Sequence, residues 1–145
     1  MRARQELIAF LRGFPGQEAG DLDTLDEVVA EAVSLPPDPE LDAALFSVFE
    51  RHPDEDGYGV YWSILHGLEA RGAYEPALLA CVRRKPSEFA ARMLNGMCNA
   101  GHKDCAGVAI LHLLTEIAGS PDASEETRRS AAAYVEHQRQ RSAGD

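Results

Sequence analysis

Trp62, His66 and Glu69 are spaced by four and three residues, so a helix carries an indole, an imidazole and a carboxylate on one face. Immediately before them stand Asp54, Glu55 and Asp56, with Tyr58 and Tyr61 in between. Aromatic rings anchor protein partners and carboxylates select basic ones, so this junction reads as a protein-binding hot spot. The competing reading puts Tyr61 and Trp62 in the core and makes His66 a satisfied buried histidine. His66 and Glu69 could also exchange a proton. No nucleophile or oxyanion donor accompanies them in sequence, so the chain is read as a binding protein and not an enzyme.

A second polar stripe follows. Glu88, Arg92, Asn95 and Asn99 repeat at four, three and four, with Phe89, Met93, Leu94 and Met97 to the other side. Asparagine is a poor helix former, so two of them on one stripe point to specific hydrogen bonds, with a solvated face as the alternative. Two metal readings fail on spacing. With Gly57 at the sixth position of a calcium loop, the first would be His52 and the twelfth Ser63, where carboxylates are needed. Cys98, His102 and Cys105 lack the second close-set ligand pair of a structural zinc site. Neither a cofactor nor a metal is expected. Arg83-Arg84-Lys85 sits at a helix C-terminus, where the helix dipole favours it without any ligand.

Charge gives the molecule a direction. The chain of 145 residues has a formal net charge of −10. Its first 56 residues hold 14 acidic side chains against Arg2, Arg4, Arg12 and Arg51, while the remainder is neutral. Such a field repels nucleic acid and anionic membrane and speeds encounter with a basic partner. Met1 to Arg12 lacks the apolar run of a signal peptide, no stretch is long and apolar enough for a membrane span, and three cysteines make no disulfide framework. A cytoplasmic protein with reduced thiols is the expectation.

The elements that must position these residues read almost wholly with helical period. Helices are expected over 2–12, 21–35, a segment capped by Asp38 with Pro39 first, 58–70, 74–84, 88–100, 104–118 and 125–141. Pro36-Pro37, Gly72 and Gly101 punctuate them. The 104–118 segment is the most apolar and is therefore expected at the centre. About eight short antiparallel helices in one all-α domain over 1–145 imply a HEAT-like α-solenoid or a compact helical bundle.

The run from Gly57 to Gly101, with Tyr61-Trp62-Ser63-Ile64-Leu65-His66-Gly67-Leu68-Glu69 and Pro86-Ser87-Glu88-Phe89 as its motif-like pieces, resembles small all-α immunity proteins. These accompany the polymorphic toxins of bacterial contact-dependent and type VI (Rhs-type) secretion systems. The resemblance covers about a third of the chain. It implies a cytoplasmic protein that binds a cognate toxin domain and blocks its active site or another essential surface. The chain is much longer than the small acidic nuclease inhibitors, so none of their binding residues carries over. The acidic half agrees in kind, because an acidic inhibitor can imitate phosphate before a basic, nucleic-acid-acting toxin. The alternative is a HEAT-like scaffold or adaptor that binds a basic protein. On either reading the contacts are expected at Asp54, Glu55, Asp56, Tyr58, Tyr61, Trp62, His66 and Glu69, then at Glu88, Arg92, Asn95 and Asn99.

Overall fold

Half of the helices begin where a short polar side chain meets free backbone N–H groups. A computed structural model describes residues 1–144, and among them are α1 (Arg4–Gly13), α2 (Leu22–Ser34), α3 (Pro39–Arg51), α4 (Tyr61–Arg71), α5 (Glu75–Arg84), α6 (Glu88–Asn99), α7 (Ile110–Ala118) and α8 (Glu125–Gly144). Asp21 accepts from Thr24 N at 3.0 Å at the head of α2. Asp38 accepts from Glu40 N and Leu41 N before α3, with Pro39 in the first turn. Ser87 and Ser124 cap α6 and α8 in the same way, at 3.1 Å each. Each cap satisfies donors that the helix itself cannot, and stabilises by about 1 kcal/mol.

Four pairs of helices two apart in sequence lie side by side: α1 with α3, α3 with α5, α2 with α4 and α6 with α8. At the heads of α1 and α3, Arg4 pairs with Asp38. At their tails, Arg51 donates to the carbonyls of Leu11 and Phe14 at 2.6 Å. The tails of α3 and α5 are joined by Arg84 and Glu50 at 2.7 Å. In the other layer, Val33 of α2 presses against Gly67 of α4, where a Cβ would stand 2.8 Å from the valine. Trp62 and Phe89 meet near the heads of α4 and α6, ring centres 5.1 Å apart. Gln138 of α8 donates to Asn95 and Asn99 of α6 at 2.8 and 2.9 Å. One layer is therefore α1–α3–α5 and the other α2–α4–α6–α8. The result is a compact all-α fold of two helical layers, with the small hairpin as its only sheet among the described residues.

One contiguous set of buried side chains joins the layers. Its aromatic centre is Phe49 stacked on Phe89 at 4.8 Å, with Tyr61 edge-on to both and to Phe14. Such pairs add about 1 kcal/mol each beyond their buried area. The most enclosed helix is α3, where Leu41, Ala44, Leu45, Phe46, Val48 and Phe49 are all fully buried.

Three expectations are corrected. The 104–118 segment is not one helix. Asp104–Cys105 (β1) and Val108–Ala109 (β2) pair antiparallel, and only Ile110–Ala118 is helical. Ala106 and Gly107 both take positive φ, 49° and 84°, which gives the tight hairpin turn and breaks the helix. Nor is α7 central; it packs on α6 and α8, while the hairpin packs on α5. Finally, 58–60 precedes α4 as a 3-10 turn over Gly57–Gly59 with Tyr58 at φ 51°. Gly57 takes φ 61° there, and a Cβ on it would stand 2.4 Å from the Tyr61 ring.

Candidate partner-binding surface

The acidic loop before α4 turns its carboxylates toward the protein. Glu55 Oε1 accepts from Gln17 N and from the Tyr61 hydroxyl, both at 3.0 Å. Asp54 Oδ1 accepts from Ser124 Oγ at 2.7 Å, which ties the loop to the head of α8. Asp56 Oδ1 accepts from Tyr58 N at 3.0 Å and starts the 3-10 turn. Tyr61 is fully buried. Burial first, then the bond to Glu55, hold its phenol protonated far above the ordinary tyrosine range. Tyr61 therefore presents nothing to a partner, because its ring fills the space between Phe14, Phe49 and Phe89.

Tyr58 is different. Its positive φ turns the side chain outward, leaving it 65% exposed, and its hydroxyl donates to the Glu18 carboxylate. That bond raises the phenol pKa.

The stripe on α4 stands on the surface of the even layer. Trp62 is half-buried: one edge meets Phe89, and the His66 ring stacks on it at 5.7 Å with an interplanar angle of 26°. From α6, the Arg92 guanidinium lies 4.8 Å from the centre of the indole. Such a cation–π contact stabilises by about 0.5–1 kcal/mol when exposed. His66 Nδ1 lies 3.8 Å from Glu69 Oε1, and the imidazole side chain is 68% exposed. The result is a flat stack of arginine, indole and imidazole with a carboxylate one turn away. Its parts come from two parallel helices, α4 and α6.

On the other flank of α4 is α2. Asp23 and Asp26 project from it, exposed and without an ion pair among the described residues. Asp26 is seven residues before Val33 and so lies along the edge that α2 turns to α4. Other carboxylates of the acidic half are paired within the chain, among them Glu27 and Glu31 with Arg2 and Asp38 and Glu40 with Arg4.

The second stripe is split by the fold. Glu88 accepts from Ser130 Oγ of α8. Asn95 and Asn99 accept from Gln138, and Asn99 also from Arg141 at 2.8 Å. These three line the seam between α6 and α8, with Asn99 still exposed at its end; Arg92 faces out and belongs to the stack on Trp62. The asparagines do make specific hydrogen bonds, but within the chain.

The cysteines are kept apart from metal chemistry by placement. Cys98 and His102 line one pocket, whereas Cys105 is buried and its thiol donates to the Glu75 carbonyl at 3.5 Å. No group of three metal-ligating side chains gathers among the described residues. Burial pushes the Cys105 thiol up to about 12 and holds Cys81 higher still, so both remain thiols.

Reasoning from sequence missed one constellation. Asp42 of α3 and Arg71 at the end of α4 form a buried ion pair, Oδ1 to Nη2 at 2.6 Å. The approach is close but not aligned as a hydrogen bond, and Arg71 Nη1 has no partner among the described residues. Burial raises the Asp42 pKa against the opposing pull of Arg71. The only signal in the sequence was an aspartate amid the apolar positions of α3. No helix among the described residues is long and apolar enough to cross a membrane. No family model, curated protein or solved structure matches the chain.

Proposed function

We propose that this protein works by binding another protein through the even layer, and that it is an immunity protein which neutralises a cognate bacterial toxin by covering its active or functional surface. The observation that carries the binding reading is the Arg92–Trp62–His66 stack. An indole half-buried at the surface and held in place by a guanidinium and an imidazole is a preorganised anchor. It gains binding area without first having to be ordered. Glu69 beside it and the exposed acids of α2, Asp23 and Asp26, add negative charge on this layer, which favours a basic toxin and speeds its approach. The toxin assignment itself is supported by the resemblance of the Gly57–Gly101 run, which contains both Trp62 and Arg92.

The two layers of stacked helices favour one further reading, a scaffold or adaptor for a basic protein, since stacked helix pairs commonly serve that purpose. Co-expression with the product of the adjacent gene separates the two. An immunity protein co-purifies with that product and protects cells from it. A scaffold gives no protection. On both readings Trp62→Ala with Arg92→Ala abolishes the complex while leaving the helical circular dichroism intact. Retention of the complex by that variant removes the stack from the site.

A further inference from the structure

The odd layer contains a cavity of about 390 Å³ between the heads of α3 and α5. Its size is that of a small-ligand pocket. The walls are aliphatic, chiefly Pro37, Pro39, Ala43, Pro76, Ala77 and Ala80. A single deeply buried carboxyl interrupts them. Asp42 lines the cavity although its side chain is only 4% exposed; its Oδ1 is closed off against Arg71 Nη2 at 2.6 Å, and its Oδ2 makes no hydrogen bond among the described residues. Buried carboxyl oxygens normally accept at least one, so Oδ2 holds unused accepting capacity.

Shape and charge together define what fits. A slender aliphatic stem matches the proline and alanine walls, and a cation at its tip matches Asp42. The other charges at the rim are already engaged. Asp38 is held by Arg4, and Arg84 by Glu50 at 2.7 Å. The bases Arg4, Arg71 and Arg84 are outnumbered by Asp38, Glu40, Asp42 and Glu50, in a chain whose net charge is already −10.

We propose that this cavity receives the lysine side chain of a protein partner, with its methylenes along the proline and alanine walls and its ammonium on Asp42. An ammonium brings three donors and can meet the carboxyl from the cavity side, where Arg71 does not reach. It also offsets the burial that disfavours the Asp42 anion. The site lies on the layer opposite the Trp62 stack and does not depend on it.

The test uses the whole chain and no natural partner. The probes are acetyl-Gly-Lys-Gly-amide and its norleucine counterpart, which keeps the stem and loses the charge. Each is titrated into isotope-labelled protein and followed by NMR. The lysine peptide should give saturable shifts at Ala43, Ala77 and Ala80, with an affinity at least about tenfold above the norleucine peptide. Asp42→Asn should remove that preference. Because Asp42→Asn also leaves Arg71 buried without a counter-charge, Ala80→Leu serves as the second variant. It fills the cavity, spares the ion pair, and should abolish binding. Equal binding of both peptides identifies a merely apolar pocket and overturns the proposal. So does binding that survives Ala80→Leu, or the absence of saturable shifts along α3 and α5.

Discussion

The loop over Asp54, Glu55 and Asp56 and the stripe over Trp62, His66 and Glu69 are neighbours in sequence, yet the fold uses them in opposite ways. The loop carboxylates accept hydrogen bonds from the chain itself, although Asp54 and Asp56 stay exposed. Glu55 holds Gln17 and Tyr61, Asp54 holds Ser124, and Asp56 starts the 3-10 turn. The stripe stays outside and is completed by Arg92 from a different helix. Charge density along a chain therefore says little about which charges face a partner. A carboxylate near free N–H groups and hydroxyls is captured by them, because hydrogen bonds to a charged acceptor are the stronger kind. The Trp62 indole carries no charge for those donors to capture and stays half-buried at the surface beside Arg92 and His66.

If this contrast is right, substitutions in the two regions have separable effects. The largest belongs to Glu55. Removing its carboxylate in Glu55→Ala leaves the Gln17 amide and the buried Tyr61 hydroxyl without their acceptor, which should cost about 3 kcal/mol in urea unfolding. Trp62→Ala with Arg92→Ala should cost about 1 kcal/mol of stability, yet weaken partner affinity by about 2 kcal/mol or more in calorimetry. Asp54→Ala should lower stability by about 1 kcal/mol, because it frees the Ser124 hydroxyl at the head of α8, while leaving affinity unchanged. The smallest equilibrium effect is expected from Asp23→Lys with Asp26→Lys. These should slow association and flatten its salt dependence in stopped-flow measurements, with dissociation unaltered. Equal losses of affinity from the loop and the stack variants would erase the contrast.

The ion pairs give a pH signature. The Arg4 guanidinium, then backbone N–H groups, hold Asp38 down to about 2, below its ordinary 3.8. A depressed carboxylate gives stability that is complete above its unfolded value and is lost as pH falls through the folded one. Acid titration followed by circular dichroism should show this loss between about pH 4 and 2, and Asp38→Asn should remove it. Asp42 acts in the opposite sense. Its raised pKa means its ionisation costs stability as pH rises above the ordinary carboxylate value, and protonation relieves that cost.

The helices were legible because their ends are written in local chemistry. Asp21, Asp38, Ser87 and Ser124 are caps whose partners lie two or three residues away. The hairpin at Cys105–Val108 was not, since the apolar run into α7 masked Gly107, the one residue that marked a turn. The surface stripe on α4 was legible from its spacing alone. What could not be read were partners far away in sequence. Gln17 and Tyr61 decide the role of Glu55, Ser124 that of Asp54, and Gln138 converts Asn95 and Asn99 from a surface ridge into a seam. Arg92 was legible as polar and helical, but its place over Trp62 depends on α4 and α6 running parallel.

The central claim is that the stack binds the partner while the acidic loop builds the protein. It is tested most directly by calorimetric titration of the adjacent gene's product with two variants, Trp62→Ala/Arg92→Ala and Asp54→Asn/Asp56→Asn. The account predicts that the first loses binding and keeps its fold, and that the second binds like the unaltered protein. Binding that survives in the first variant and disappears in a folded second variant would contradict it.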